Sequence, residues 1–576
     1  MAPVTTVQIQ ISKRSIRFRF NAWTAAVLIV AVLAFVPIAA VLGMAMAPTD
    51  GVWDHLSATV LPQYVRTTLL LMTGVGIGTF IVGTGTAWLI TVYRLPGRQI
   101  LEWALLLPLA MPAYVVAYVY TDILEFAGPI QGLLRHLYGW KLHSDYWFPD
   151  IRSLGGAITV MTLVLYPYVY LLARAAFLDQ AAGVVEVSRS LGHGPWRTFC
   201  KVSLPMARPS IVVGISLCMM EALNDFGTVD FFAVPTFTTG IFDVWLNMGS
   251  ASGAAQMASV LLIFVLALVI VERAARRGRR YYHSYQKAEY EGMASSQTLT
   301  PKWRAAAFVA CVVPIVGGFL IPAGLLVTYA LRHYQVALQP EFSIYAGNSL
   351  MLSGLAALVA VMVGTFLAYG TRLHGGRIVL LATRVASLGY AVPGAVLAIG
   401  VILPTALLDN TIDAWSQSLF GIPTGLLISG TVMVVVIGYV VRFLALSYGA
   451  MEAGLARITP NMDGAARTLG AGPGRLLLRV HLPLLRASLL TAGLLVFVDC
   501  MKELPMTMIL RPFNFETLAT FVHQYAMDER LEESAPGALA IVIAGILPVI
   551  LLSRTLGARL KANVAPVVGS VEVAAR

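Results

Sequence analysis

Four carboxylates stand inside otherwise apolar sequence. Glu221 and Asp225 lie four residues apart in ISLCMMEALNDFG, and Asp499 and Glu503 lie four apart in LLVFVDCMKELPM. The two pairs are related by one offset, because 499 − 221 = 278 and 503 − 225 = 278. On a helix, a spacing of four puts both acids of a pair on one face. Translocon scales put an acid at a membrane-helix centre at roughly 2.5–3.5 kcal/mol, so such a group faces a cavity or a partner. Carboxylate oxygens are hard ligands, suited to a highly charged metal ion in transit. The spacing alone assigns no metal site. Within this candidate translocation path Asp225 and Glu503 form the outermost pair, placed to meet a docked protein rather than an ion. A structural reading stands beside it: Lys502 neutralises one acid, and Asn224-Asp225 ahead of Gly227 caps a helix end.

The same offset relates two polar stretches. EVSRSLGHGPWRTFCKVSLPMARPS runs from Glu186 to Ser210, and GAARTLGAGPGRLLLRVHLPLLRAS from Gly464 to Ser488. Arg189 falls on Arg467, Gly192 on Gly470, Gly194-Pro195 on Gly472-Pro473, and Leu204-Pro205 on Leu482-Pro483. Chance does not keep that register, so the chain is an internal duplication. Each copy predicts a helix ending at a left-handed glycine cap (Gly192, Gly470), then a short helix starting at proline. Leu204-Pro205 and Leu482-Pro483 are expected to stop it. The cations of this stretch sit between membrane-length apolar runs, which places it on the cytoplasmic side.

The elements that must position these groups are membrane spans. Over 576 residues the chain is 58% hydrophobic and 12% charged, and soluble domains carry about twice that share of charge. Its net charge of +11 collects in short inter-helix loops, as positive-inside topology requires, and does not indicate nucleic acid. The four cysteines are scattered, without disulfide or metal-ligand spacing. Spans are predicted near 22–46, 64–93, 99–124, 155–178, 209–232 and 254–273, and again near 305–331, 346–371, 377–407, 422–448, 486–510 and 536–554. The organisation expected is a cytoplasmic N-terminal segment 1–21, a first repeat 22–273, a basic cytoplasmic linker 274–304, a second repeat 305–556 and a cytoplasmic tail 557–576. Both ends inside demand an even number of spans, and twelve satisfies it. The fold class is all-α and polytopic, two duplicated halves of six helices.

The polar stretches resemble the cytoplasmic EAA loop of permease subunits of binding-protein-dependent ABC importers, whose pattern is E-A-A-x-x-x-G, nine residues, an apolar residue, x, L, P. The first copy keeps Glu186 and Gly192 but has Val187-Ser188 for the alanines. The second keeps Ala465-Ala466 and Gly470 but has Gly464 for the glutamate, with Asp463 one position early. One residue is about 100° of rotation around a helix, which puts the second ion pair in question. The resemblance implies the type I (MetI-like) importer fold and loops that couple to two ATPase subunits. Glu186, Arg189, Gly192, Pro205, Asp463, Gly464, Arg467, Gly470 and Pro483 then form the coupling loops.

The chain contains no G-x-x-x-x-G-K-[ST] phosphate loop and no clustered catalytic set, so it reads as a permease without enzyme activity or cofactor. The loop Tyr93 to Arg98 lacks the signature of major facilitator transporters, the competing twelve-span class. Within ABC permeases the chain is similar to the fused ferric iron permeases, through Glu221 to Phe232, Thr236 to Ile241, Met501 to Pro505, Leu510 to Phe515 and Asp528 to Leu531. Fused thiamine permeases are the alternative. The resemblance implies a bacterial inner-membrane subunit that takes Fe³⁺ from a periplasmic binding protein, with membrane lipid around it and ATPases beneath.

Overall fold

The computed structural model describes residues 22–48, 51–180, 187–188, 190–276 and 299–562. The expected N-terminal segment, most of the linker and the end of the tail lie outside the described residues. Among those described there is no β-strand. In hydrocarbon every backbone group must be paired within the protein, and helices achieve this segment by segment.

The first half contains α1 (Ala22–Ala45), α2 (Leu61–Val92), α3 (Ala113–Leu124), α4 (Leu154–Asp179), α5 (Leu204–Asn224) and α6 (Ala251–Arg276). The second contains α7 (Pro301–Arg332, with a π turn at Val316–Leu320), α8 (Pro340–His374), α9 (Gly394–Phe420), α10 (Val432–Leu455), α11 (Leu482–Met501) and α12 (Leu531–Ala562). Among the described residues eleven helices are long and apolar enough to cross a membrane, and a twelfth span forms if the bent pair around Met111-Pro112 counts as one.

Glycines at duplicated positions allow close crossings in both halves. A Cβ on Gly83 of α2 would strike Val169 of α4, and one on Gly364 of α8 would strike Ser447 of α10. The halves are interlocked by their first spans. Helix α1 lies against α9, where Gly400 lets the Pro37 carbonyl approach. Trp23 of α1 stacks on Phe366 of α8 at 5.0 Å. In the reciprocal crossing, Tyr120 of α3 donates to the Gly317 carbonyl of α7 at 2.6 Å.

Several expected spans are interrupted. The stretch 99–124 bends by 91° at Met111-Pro112, and 377–407 breaks at Val392-Pro393. In each case a 3₁₀ turn precedes an extended residue (Met111 ψ 127°, Val392 ψ 131°), because the following proline disfavours helical backbone before it. The stretches 209–232 and 486–510 end as helices at Asn224 and Met501 and restart as Gly227–Phe231 and Pro505–Leu510. Helix α9 continues to Phe420, and α10 starts only at Val432.

Pro205 and Pro483 do not stop a helix. Each lies in the first turn of α5 or α11, directly after a π turn (Phe199–Ser203, Leu477–His481) that runs on from the short helix. The π turn has already altered the hydrogen-bond ladder there, so the missing proline N–H breaks nothing further.

Gly400→Val is expected to force α1 from α9 and destabilise the protein by about 1–3 kcal/mol, the usual cost of overpacking. Gly354→Ala in α8, where an added Cβ meets nothing within 4 Å, serves as the control. Thermal unfolding of the detergent-solubilised protein should fall for the first and hold for the second.

Candidate functional site

The breaks after α5 and α11 build the site. Asp225 sits beyond the last residue of α5 with extended backbone (ψ 132°). Its Oδ1 accepts the Thr228 amide at 2.9 Å and the Val229 amide at 3.3 Å, and its Oδ2 accepts the Thr228 hydroxyl at 2.9 Å. Glu503 does the same for Pro505–Leu510: Oε1 accepts the Met506 amide and Oε2 the Thr507 amide, both at 3.1 Å. The extra methylene also lets Glu503 reach Arg442, whose Nη1 donates to Oε1 at 3.0 Å. These two acids therefore cap short helices, as aspartate does at a helix start. The expectation that each acid pair shares one continuous helix face is overturned, since each helix ends between its two acids. Glu503 is buried and the carboxylates of both caps are bonded inward, so neither offers a free charge to a protein docking outside.

Glu221 and Asp499 remain on α5 and α11. Glu221 accepts from the Tyr390 hydroxyl at 3.2 Å, and Asp499 pairs with Lys502 at 2.9 Å. All four acids, with Arg442 and Lys502, line one cavity of about 110 Å³ between the halves. Among the described residues no three His, Cys, Asp or Glu side chains converge to hold a metal ion. The lining charges depart from the duplication where Lys502 stands against Asn224 (502 − 224 = 278) and where Arg442 stands against Val164 (442 − 164 = 278).

Arg442, which lines the cavity, and Tyr390, the partner of Glu221, are the residues that sequence reasoning missed. A signal existed for Arg442, a lone cation in the apolar run Val432–Leu455, because an intramembrane charge marks a site by default. Tyr390 carried none. It arrives through the 3₁₀ turn Ser387–Ala391 ahead of the Val392-Pro393 break.

The two polar loops form a second region. Glu186 and Arg189 lie outside the described residues. Gly192 and Gly470 have φ of +82° and +80°, the left-handed cap that admits glycine most readily. Leu191 and Leu469, beside them, are exposed, as are Gly464 and Arg467. In the first loop Ser188 contacts the Thr198 hydroxyl and His193 Nδ1, each at 3.1 Å. In the second, Asp463 is paired despite its shifted position, with Arg372 at 2.9 and 3.0 Å and with His481 at 2.9 Å. Burial works to raise the Asp463 carboxyl, but these hydrogen bonds outweigh it and hold the carboxyl below its ordinary value. A lowered folded value means that this stabilisation is present above the unfolded value of about 3.9 and lost as pH falls through the folded one.

Glu503→Gln leaves the buried Arg442 guanidinium without its counter-charge, a change that costs about 3–5 kcal/mol at buried pairs. Asp499→Asn breaks a pair that borders the cavity, where water reaches both groups, and should cost about 1 kcal/mol or less. Thermal unfolding of the two purified variants should differ by that margin. Equal stability would refute the capping assignment.

Comparison with known proteins agrees with this geometry. The family described as binding-protein-dependent transport system inner membrane component matches twice, over residues 79–280 and 360–564. The Fe(3+)-transport system permease protein FbpB 2 of Haemophilus influenzae is 26% identical over 86% of this chain and 90% of its own length. The ferric transport system permease protein FbpB of Actinobacillus pleuropneumoniae is 23% identical over 78% of this chain and 64% of its own length. The molybdenum transport system permease protein ModB of Escherichia coli is 28% identical over 34% of this chain and 84% of its own length. The chain belongs to the family of binding-protein-dependent transport system inner membrane components, as a multi-pass permease that carries the family's domain twice.

Proposed function

We propose that this permease imports ferric iron, received from a periplasmic binding protein and driven by two separate ATPase subunits beneath it. One observation carries the substrate class: the cavity between the halves is lined by four carboxylates and two cations. With all six ionised it holds an excess of two negative charges. Arg442 and Lys502 are matched by Glu503 and Asp499, which leaves no free cation for an anionic solute. At about 110 Å³ the cavity is also well below the roughly 300 Å³ where pockets for drug-sized organic solutes begin, which favours an ion over thiamine. The ferric permeases named above supply the identity of the ion.

Glu221 and Asp499 are the pathway acids in this reading, with Asp225 and Glu503 holding the walls. The loops around Gly192 and Gly470 are the coupling loops, with Leu191 and Leu469 presented to the ATPases. In this reading the loops are cytoplasmic, both chain ends lie inside, and the two repeats, 22–273 and 305–556, act as the halves that rock.

The test is uptake of radiolabelled ferric iron by cells lacking other iron routes, at matched membrane levels. Glu221→Gln with Asp499→Asn should lower uptake by about tenfold or more, the factor for each 1.4 kcal/mol of lost stabilisation. Unchanged uptake in the double variant would remove both acids from the path. An iron-blind parental chain would overturn the substrate.

Gly192→Asp and Gly470→Asp meet open space, so each adds only left-handed strain of roughly 1–2 kcal/mol. Both should stay in the membrane and lose uptake. Parental transport by both variants would end the coupling assignment.

A further inference from the structure

The second loop is attached to the membrane bundle in an unusual way. Its helix Pro460–Thr468 contains no buried residue, so packing does not hold it. A single guanidinium does. Arg372, in the last turn of α8, donates through Nε and Nη2 to both oxygens of Asp463, at 2.9 and 3.0 Å. The same group donates to the Ile458 carbonyl at 2.9 Å and, through Nη1, to the Leu455 carbonyl. The Leu455 carbonyl ends α10 and the Ile458 carbonyl lies in the turn beyond it, so the guanidinium grips the connection from α10 to the loop. The fork geometry of arginine allows one side chain to serve all three elements at once, and lysine lacks it.

Two neighbours extend the grip. His481 Nε2 lies 2.9 Å from Asp463, and its fully buried ring sits in the π turn that leads into α11. Tyr369, one turn before Arg372, donates to the Pro473 carbonyl at 2.7 Å and meets the His481 ring edge-on at 5.5 Å. The end of α8 thus holds both short helices of the loop, with the end of α10 joined through the Arg372 guanidinium and the start of α11 through His481 on the Asp463 carboxylate.

We propose that Arg372 is the positioning residue that transmits movement of the second loop to α8, α10 and α11, with Asp463 directed inward as its counter-ion and not outward as a docking charge. This rests on the reading that the loop docks an ATPase. It also explains how the loop dispenses with a glutamate at position 464: an acid one residue earlier points at α8. The usual demand for a docking carboxylate is replaced by a demand for stiffness.

The first measurement uses the chain alone. Hydrogen exchange of the amides in Pro460–Thr468 should be about tenfold faster or more in Arg372→Gln, since local opening follows the lost attachment. Unchanged exchange would overturn the proposal whatever the ATPase does. The second uses the full complex with its ATPases and binding protein in proteoliposomes. Arg372→Gln should retain the ATPases and hydrolyse ATP, while uptake per ATP falls about tenfold, within the range of coupling changes seen along such networks. Arg372→Lys should recover part of the ratio, and adding Asp463→Asn to Arg372→Gln should cost little more. An unchanged uptake-to-hydrolysis ratio, or hydrolysis and uptake falling together, would overturn it. So would an Asp463→Asn variant that loses the ATPases while Arg372→Gln keeps them. Failure of the parental chain to bind ATPases would instead sink the proposed function, and the exchange result would still stand for the clamp.

Discussion

A helix interrupted inside a bilayer must find partners for the backbone groups it frees, since no water is present to serve them. That constraint shapes the centre of this protein. The helices α5 and α11 stop at equivalent places, and the N–H groups of the short helices that follow are met by Asp225 and Glu503. Had the caps been serine or asparagine, the breaks would have been satisfied without charge. With carboxylates, each break also brings a negative charge to the boundary between the halves, and Arg442 answers one of them.

The cavity follows from those breaks together with the two at Met111-Pro112 and Val392-Pro393. Continuous helices would have packed side by side and filled the space. Four interrupted elements instead leave about 110 Å³, lined by polar groups that the interruptions themselves require. A path for an ion through a permease needs such polar lining, together with acids that are not locked into a chelating cage. Glu221 and Asp499 meet that description, because each has a single polar partner among the hydrogen bonds and ion pairs at the cavity.

Interlocking of the first spans gives the two halves a mechanical relation. Helix α1 lies on α9, and the Gly317 carbonyl of α7 is bonded by α3, so each half packs a helix against the other. The second polar loop meets the bundle at Arg372, whose helix α8 is also the one on which Trp23 of α1 rests. Helix α10, whose Leu455 carbonyl the same guanidinium binds, carries Arg442 of the cavity near its middle.

The sequence by itself determined the duplication, the class of membrane helices, the two loops and the four acids. Those features depend on composition, on period and on a register of 278 that survives without any contact being known. It also held the alternatives for the acids, pathway or cap, without a means to choose. Only the tertiary structure decided that Asp225 and Glu503 cap short helices, because capping depends on where the chain turns back toward the carboxylate. Tyr390 reaches Glu221 across 169 residues, and Arg372 reaches Asp463 across 91. Position 463 looked displaced by 100° when judged along its own helix. Its partner came from another helix on that side, and a local rotation says nothing about what a distant segment places there.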